Sequence, residues 1–144
     1  MAEFSSETKF VPYSDVDVYT VLSDLRNLEF LKDKLPDDKL KNLSYEQDSC
    51  SISVEPVGKV KFNITERKPN STIKFEAEQV PFALNLFIEI EQASEQETAL
   101  KITVNADLNP FLKPMVSKPL QQAVDKIAEM MVSVPFDQIR EQNL

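Results

Sequence analysis

The sequence predicts an α+β fold in which a curved antiparallel sheet lies against one long C-terminal helix. Two observations carry this prediction. From residue 59 to residue 108, apolar and polar side chains alternate with a period of two, which is typical of half-buried strands. After Pro110 the apolar period changes to 3.6 residues and continues to about Val134, as in an amphipathic helix. A sheet wrapped on a helix forms a container, and such containers often hold apolar ligands.

The N-terminal part predicts one strand followed by two helical segments. Residues 3–11 alternate and form the first strand. Ser14 then provides a helix N-cap, since its hydroxyl can accept a hydrogen bond from the amide of Asp17. A second, shorter helical piece ends at Leu35-Pro36, because the residue before a proline disfavours the helical region. One face of the first strand carries Phe4, Ser6, Thr8 and Phe10.

Six more strands are predicted from alternation and from turn residues. Residues 37–42 form a charged loop, and a hairpin that turns at Asp48-Ser49 follows it. Gly58 supplies the positive φ available to glycine in the next turn. The predicted strands are 43–47, 50–55, 59–67, 72–80, 83–92 and 98–108.

The closing helix has one apolar face. At about 100° per residue, one narrow sector is apolar, and polar or charged residues fill the opposite side. Pro114 fits a first helical turn, whereas Pro119 lacks an amide hydrogen and is expected to kink or restart the helix. The apolar sector contains Val116, Leu120, Ala123, Ile127, Met130, Met131 and Val134.

Composition indicates one ordinary globular domain. A chain of 144 residues can bury a core without disulfides or metals. Its net charge of -8 argues against a nucleic-acid partner and against electrostatic docking on anionic membranes. The polar N-terminus does not resemble a signal peptide, and no apolar run approaches the roughly 20 residues that cross a bilayer. We therefore expect a cytoplasmic protein without membrane insertion.

The residue types that are missing exclude several kinds of chemistry. The chain has no histidine, which is the commonest general base and a common metal ligand. With Gly58 as the sole glycine, Gly-rich phosphate loops and dinucleotide fingerprints are excluded. Cys50 is the sole cysteine and has no histidine to activate it. We therefore expect no cofactor, no metal and no assigned catalytic residue.

Two stretches give the chain a resemblance to a known superfamily. Ser14 to Leu25 looks like the helix that follows the first strand in START-like and Bet v 1-like proteins, and the Leu108–Leu112 junction is similar to theirs. The superfamily includes bacterial polyketide cyclase/dehydrase-like and lipid-transport members. The resemblance implies a helix-grip fold over residues 1–144. In that fold, a curved seven-stranded antiparallel sheet wraps a long C-terminal helix, and two short helices follow strand 1.

The resemblance also implies a cavity between the sheet and the C-terminal helix. Apolar side chains of inward phase would line it and bind a small hydrophobic ligand, although the same side chains could instead fill an ordinary core. Phe111 lies in a Pro-flanked junction, where it either gates the mouth of the cavity or staples the start of the helix. The implied ligand-binding residues are Phe62, Ile64, Phe75, Ala77, Leu86, Ile88, Ile102, Val104, Phe111, Leu120, Ala123, Ile127 and Met131.

Three polar residues are candidates for specificity in this cavity. Glu66 continues the inward series of its strand, and a buried Glu66 could form an acid/base pair with Tyr45. The alternative is that Glu66 reaches the rim and is solvated or pairs with a lysine. Asn85 has the opposite phase in its strand and is the third candidate.

Three classes of function remain open. The first is a binder or carrier of a lipid, a polyketide or an aromatic metabolite. The second is a cyclase- or dehydratase-type enzyme that uses Glu66, Tyr45 or Asn85 in the same cavity. The third is a protein-interaction domain similar to chaperone activators, which would present an exposed apolar patch to its partner. The oligomeric state is not predicted.

Overall fold

An antiparallel sheet provides the frame of the molecule. The computed structural model describes residues 2–30, 44–54, 58–78 and 80–142. The predicted loop over 37–42 and the predicted helix stop at Leu35-Pro36 lie outside the described residues. The eight strands are β1 (Ala2–Ser5), β2 (Lys9–Val11), β3 (Ser44–Tyr45), β4 (Ser49–Val54), β5 (Gly58–Lys68), β6 (Thr72–Glu78), β7 (Leu84–Ser94) and β8 (Glu97–Ala106).

The strand order confirms the predicted antiparallel sheet. It reads β1-β8-β7-β6-β5-β4-β3, and β2 pairs with β8 beyond the end of β1. From β3 onward each strand therefore lies next to its successor in the chain, as expected for a series of hairpins. The first strand pairs with the last one and forms the edge of the sheet opposite to β3.

The predicted first strand is divided into two, which is why the sheet has eight strands and not seven. Ser5 pairs with Thr103 and Lys9 pairs with Leu100, so three residues face two across the ladder. This is a β-bulge. Buried Ser6 keeps the strands joined, because its amide donates to Ile102 O (2.9 Å) and its Oγ accepts from Ile102 N (3.0 Å).

The helices begin and end at residues with clear local causes. Ser14 caps the first helix, since its Oγ accepts a hydrogen bond from the amide of Asp17 at 3.2 Å, as predicted. Pro114 lies in the first turn of the long helix, where no amide hydrogen is needed, and the helix continues through Pro119. The helices are α1 (Asp15–Leu22), a 3₁₀ helix (Leu25–Phe30), α2 (Lys113–Val132) and α3 (Phe136–Gln142).

Apolar rows cross the concave face of the sheet. Residues that are directly paired point to the same face, so the register places whole rows together. In one row Ile73, Ile88 and Ile102 are buried in β6, β7 and β8. A second row runs from β5 to β1 and consists of Ile64, Phe75, Leu86, Val104 and Phe4.

Helix α2 lies over the part of this face that β8, β1 and β2 form. It contacts β8, β1 and β2, and the Gln121 Nε2 donates to the carbonyl oxygen of Ser5 at 2.9 Å. Its buried stripe has a spacing of three or four residues, as expected for one face of a helix. This stripe consists of Val116, Leu120, Val124, Ala128 and Met131.

A second bulge turns Arg67 toward helix α1. The pairing shifts at Thr65, so that Ile64 pairs with Phe75 while Arg67 pairs with Ile73. Arg67 Nε and Nη2 donate to the carbonyl oxygen of Ser23 at 3.1 and 2.9 Å. Because Ser23 caps the C-terminal end of α1, the guanidinium satisfies a backbone group that the helix leaves free and complements its dipole.

Substitution Arg67→Met is expected to lower the free energy of unfolding by about 1–2 kcal/mol, because the hydrogen bonds to Ser23 O and an ion pair with Asp48 are lost. Urea unfolding of both proteins measures this difference. Lys68→Met is the control, since exposed Lys68 has an ion pair at 3.7 Å with exposed Glu66 and is expected to change stability by less than about 0.5 kcal/mol. Equal losses in the two variants would contradict the role given to Arg67.

Candidate functional site

Half-buried apolar residues lie both on one flank of α2 and on the central strands of the sheet. Gln121 faces β1, so the flank of α2 on the other side of its buried stripe points toward β7, β6 and β5. Half-buried Ala123 and Ile127 lie on that flank. On the sheet, half-buried Ile64, Ala77 and Leu86 have concave phase and lie on β5, β6 and β7. These five residues define what we call the apolar walls.

The sheet residues of the apolar walls are less buried than their neighbours in the same row. Phe75 and Val104 are 5% and 4% exposed, whereas Ile64 and Leu86 in the same row are half-buried. Buried and half-buried side chains therefore alternate along this row, with Phe75 buried between Ile64 and Leu86. The other predicted residues of this face are buried in the core, namely Phe62, Ile88, Ile102, Leu120 and Met131.

Phe111 does not lie within the walls. Its side chain is 85% exposed and precedes α2. The turn before α2 directs this ring into solvent, and a role for Phe111 at the mouth of a cavity stays a prediction.

The three polar candidates do not converge. Glu66 follows the bulge at Thr65 and pairs with Lys74, so it lies on the convex face, where its side chain is exposed. Asn85 pairs with Asn105 on the same convex face. The sheet therefore separates the side chains of Glu66 and Asn85 from the apolar walls. Of the three polar candidates, Tyr45 has concave phase, because it pairs with Cys50, which pairs in turn with the inward-facing Phe62.

Cys50 is a concave-face residue that the sequence prediction did not include. It lies between Tyr45 and Phe62 in the ladder and packs against the apolar core. Burial raises the pKa of the Cys50 thiol to about 11, because the thiolate loses solvation in these surroundings. The strand phase of Ser49, Cys50 and Ser51 was the signal for this position, since the thiol is the apolar member between two hydroxyls.

Alkylation of Cys50 is expected to be slow at pH 8 and to accelerate about tenfold per pH unit until pH approaches 11. At pH 8 the small thiolate fraction outweighs the higher nucleophilicity of a basic thiolate, so the rate should be at least about tenfold below that of a free cysteine peptide. Iodoacetamide labelling followed by mass spectrometry measures the rate. A plateau near pH 8.5 would contradict the assigned environment, and the urea-unfolded protein provides the control.

A separate cleft lies on the β1 side of α2. Its volume is about 400 Å³ and it is open to solvent. Its lining is polar and includes Glu7, Lys9, Gln121, Asp125 and Glu129. Lys9 Nζ lies 3.8 Å from Glu7 Oε2, so the lysine is partly neutralised within the cleft. This cleft is distinct from the apolar walls, which lie on the opposite flank of the helix.

The described residues offer neither a metal-binding cluster nor a membrane-spanning helix. Across residues 2–30, 44–54, 58–78 and 80–142, no group of three or more acidic or cysteine side chains is arranged to hold a metal ion. Within the same ranges, no helix has both the length and the apolar character needed to span a bilayer.

Comparisons with solved structures identify the fold. A START superfamily protein from Mycobacterium smegmatis gives a TM-score of 0.68 at 14% identity, over 97% of this chain and 98% of the other. Norcoclaurine synthase from Thalictrum flavum, in complex with dopamine and hydroxybenzaldehyde, gives a TM-score of 0.72 at 14% identity, over 97% of this chain and 87% of the other. A protein from Thermus thermophilus gives a TM-score of 0.65 at 17% identity, over 99% of this chain and 100% of the other.

These similarities define the class of fold. No protein-family model matches the chain, and no curated protein matches it. The chain nevertheless has the helix-grip fold of the START-like and Bet v 1-like superfamily, with a curved antiparallel sheet and a long helix near its C-terminus. The predicted resemblance is thereby confirmed at the level of the fold.

Proposed function

We propose that this protein binds a small hydrophobic molecule between the apolar walls and acts as a binder or carrier. The observation that carries this proposal is the incomplete burial of Ile64 and Leu86 beside buried Phe75 and Val104. Leaving aliphatic surface uncovered inside a sheet costs roughly 25 cal/mol per Å². An apolar ligand that occupies the space would recover this free energy.

The chemistry of the walls favours an uncharged or largely apolar ligand. Ile64, Ala77, Leu86, Ala123 and Ile127 offer hydrocarbon contacts and no charge. Tyr45 and Cys50, near Phe62 on the concave face, add polar atoms toward one edge. A lipid chain, a polyketide or an aromatic metabolite fits these surroundings, with Tyr45 and Cys50 on the side of one polar substituent.

The fold supports the same proposal. START-like and Bet v 1-like proteins bind hydrophobic ligands, and the structure of norcoclaurine synthase contains dopamine and hydroxybenzaldehyde. A small aromatic molecule is therefore one reasonable class of ligand for this chain.

The cyclase- or dehydratase-type alternative is disfavoured. It requires at least two polar side chains that converge on one substrate. Glu66 and Asn85 lie on the convex face, and Tyr45 has concave phase, so the sheet separates the proposed partners. Binding without chemistry is the better interpretation of this arrangement.

The proposal is tested by ligand binding to the intact chain. Native mass spectrometry of protein purified from its own host should show an adduct that an organic solvent extracts. A fluorescent fatty acid should gain intensity on binding and lose it when lipids or aromatic compounds compete. Absence of both an adduct and a fluorescence gain, at protein concentrations well above micromolar, would overturn the proposal.

A further inference from the structure

The start of helix α2 presents apolar side chains to solvent. Phe111 is 85% exposed and Met115 is 59% exposed. Phe111 lies in the turn before α2 and Met115 in the first turn of the helix, while Val116 and Leu120 face the core. We call Phe111 and Met115 the apolar tip.

The turn that carries the tip is held by its own hydrogen bonds. Asn109 Oδ1 accepts from the amides of Phe111 and Leu112, each at 2.9 Å. The amide of Lys113 donates to the carbonyl oxygen of Asn109 at 3.0 Å. The outward direction of Phe111 is therefore a defined feature of the fold, and it holds a large apolar ring in water.

The surroundings of the tip are positive in an otherwise acidic chain. From residue 108 to residue 124 the sequence contains Lys113 and Lys118 and no acidic residue, although the whole chain has a net charge of -8. Both lysines are exposed. The first turn of α2 also lacks an acidic residue, so the positive end of the helix dipole is not neutralised there.

A second connection at this end carries no charge. The amide of Asp107 donates to the carbonyl oxygen of Ala83 at 2.9 Å, which places the β6–β7 connection beside the β8–α2 connection. Residues 79–88 contain no charged side chain. Asp107 is the acidic group nearest to the tip in sequence, and the two lysines outnumber it.

We propose that the apolar tip docks on the surface of an anionic lipid bilayer. Phe111 and Met115 enter the boundary between headgroups and acyl chains, and Lys113 and Lys118 contact lipid phosphates. Because the Debye length is about 8 Å at physiological salt, acidic residues farther than this from the tip are largely screened, and Lys113 and Lys118 lie within three residues of Met115 in the sequence. The unfavourable expectation drawn from the net charge therefore does not apply to this end of the molecule.

A lipid surface fits the tip better than a folded protein does. A stable protein interface buries about 800 Å² on each partner and needs a complementary surface. Phe111 and Met115 offer less contact area than such an interface needs. A bilayer deforms around inserted side chains and needs no complementary surface. The docking goes beyond the proposed ligand binding and does not depend on it.

Vesicle co-sedimentation of the intact chain tests the docking. The protein should sediment with vesicles of phosphatidylcholine containing about one third phosphatidylserine, and sedimentation should fall as salt rises. The double substitution Phe111→Asp, Met115→Asp should lower the partition coefficient at least about tenfold. Replacing Lys113 and Lys118 by alanine should lower it about fivefold per lysine on these vesicles, with little change on pure phosphatidylcholine.

The matched control places the same two charges elsewhere. Phe10→Asp, Val132→Asp also replaces two exposed apolar residues, and it should bind vesicles nearly as the natural sequence does. Thermal melts verify that every variant folds. Equal binding by the tip variant and the control would overturn the proposal, as would absence of vesicle binding by the natural sequence. A dimer that the tip variant dissociates, with no vesicle binding, would also overturn it and assign the tip to self-association.

Discussion

Replacing Phe136 with alanine is expected to lower the free energy of unfolding by about 3–5 kcal/mol. Phe136 is 0% exposed and is among the largest fully buried side chains among the described residues. Its ring meets that of Tyr13 edge-on, with centroids 5.6 Å apart and an interplanar angle of 72°. The substitution removes this contact and leaves a cavity that the surrounding strand and helices cannot refill.

Urea unfolding followed by circular dichroism measures the change as a shift of the midpoint at constant slope. Phe10→Ala is the matched control, because Phe10 is 56% exposed and its truncation is expected to cost less than about 0.5 kcal/mol. A loss below about 1 kcal/mol for Phe136→Ala would show that α3 contributes little to the folded state.

Helix α3, which begins at Phe136, was not predicted from the sequence. The long helix was expected to continue to about Val134, and it ends at Val132. Pro135 marks the break, but the seven residues of α3 are too few for a helical period to be recognised. Its stability comes from packing against α1, where Arg140 pairs with Asp17, and such long-range contacts leave no local signal.

Period-two patterns predicted the strands but not the bulges within them. Ile64 is inward as predicted, yet the extra residue at Thr65 moves Glu66 to the convex face. The bulge between β1 and β2 has the same effect, since Phe4 has concave phase whereas Phe10 is exposed. A one-residue insertion reverses every later side chain, and neither site carries a glycine that could have indicated it.

Most of the concave surface followed from alternation alone. The predicted inward series on β5 to β8 are the residues that the register places in rows beside α2. The residues predicted on the buried face of α2 matched the structure less closely. Val124 and Ala128 take positions in the buried stripe, and the predicted Ala123 and Ile127 lie on its flank. Sequence periodicity gives the apolar sector of a helix, but the strand that the helix meets decides which part of the sector is covered.

The position of Ala123 and Ile127 on the flank of α2, and not in its buried stripe, allows a direct test of the proposed ligand space. Substitution Ala77→Phe is expected to abolish binding of the fluorescent fatty acid. Ala77 is half-buried, has concave phase and pairs with Phe62. A phenyl ring at this position would occupy the volume between the apolar walls, and a packed interior cannot accept the ring and a ligand together.

The control is Ala99→Phe, in which the same ring is added to the opposite face of the sheet. Ala99 is half-buried and pairs with exposed Phe10, so its side chain points away from α2. Fluorescence titration should show unchanged affinity for Ala99→Phe and no binding for Ala77→Phe, with both variants folded in thermal melts. Retained affinity in Ala77→Phe would place the ligand elsewhere. Because Ile64 and Leu86 stay half-buried unless something covers them, the added ring should also raise the melting temperature if it fills that space in the free protein.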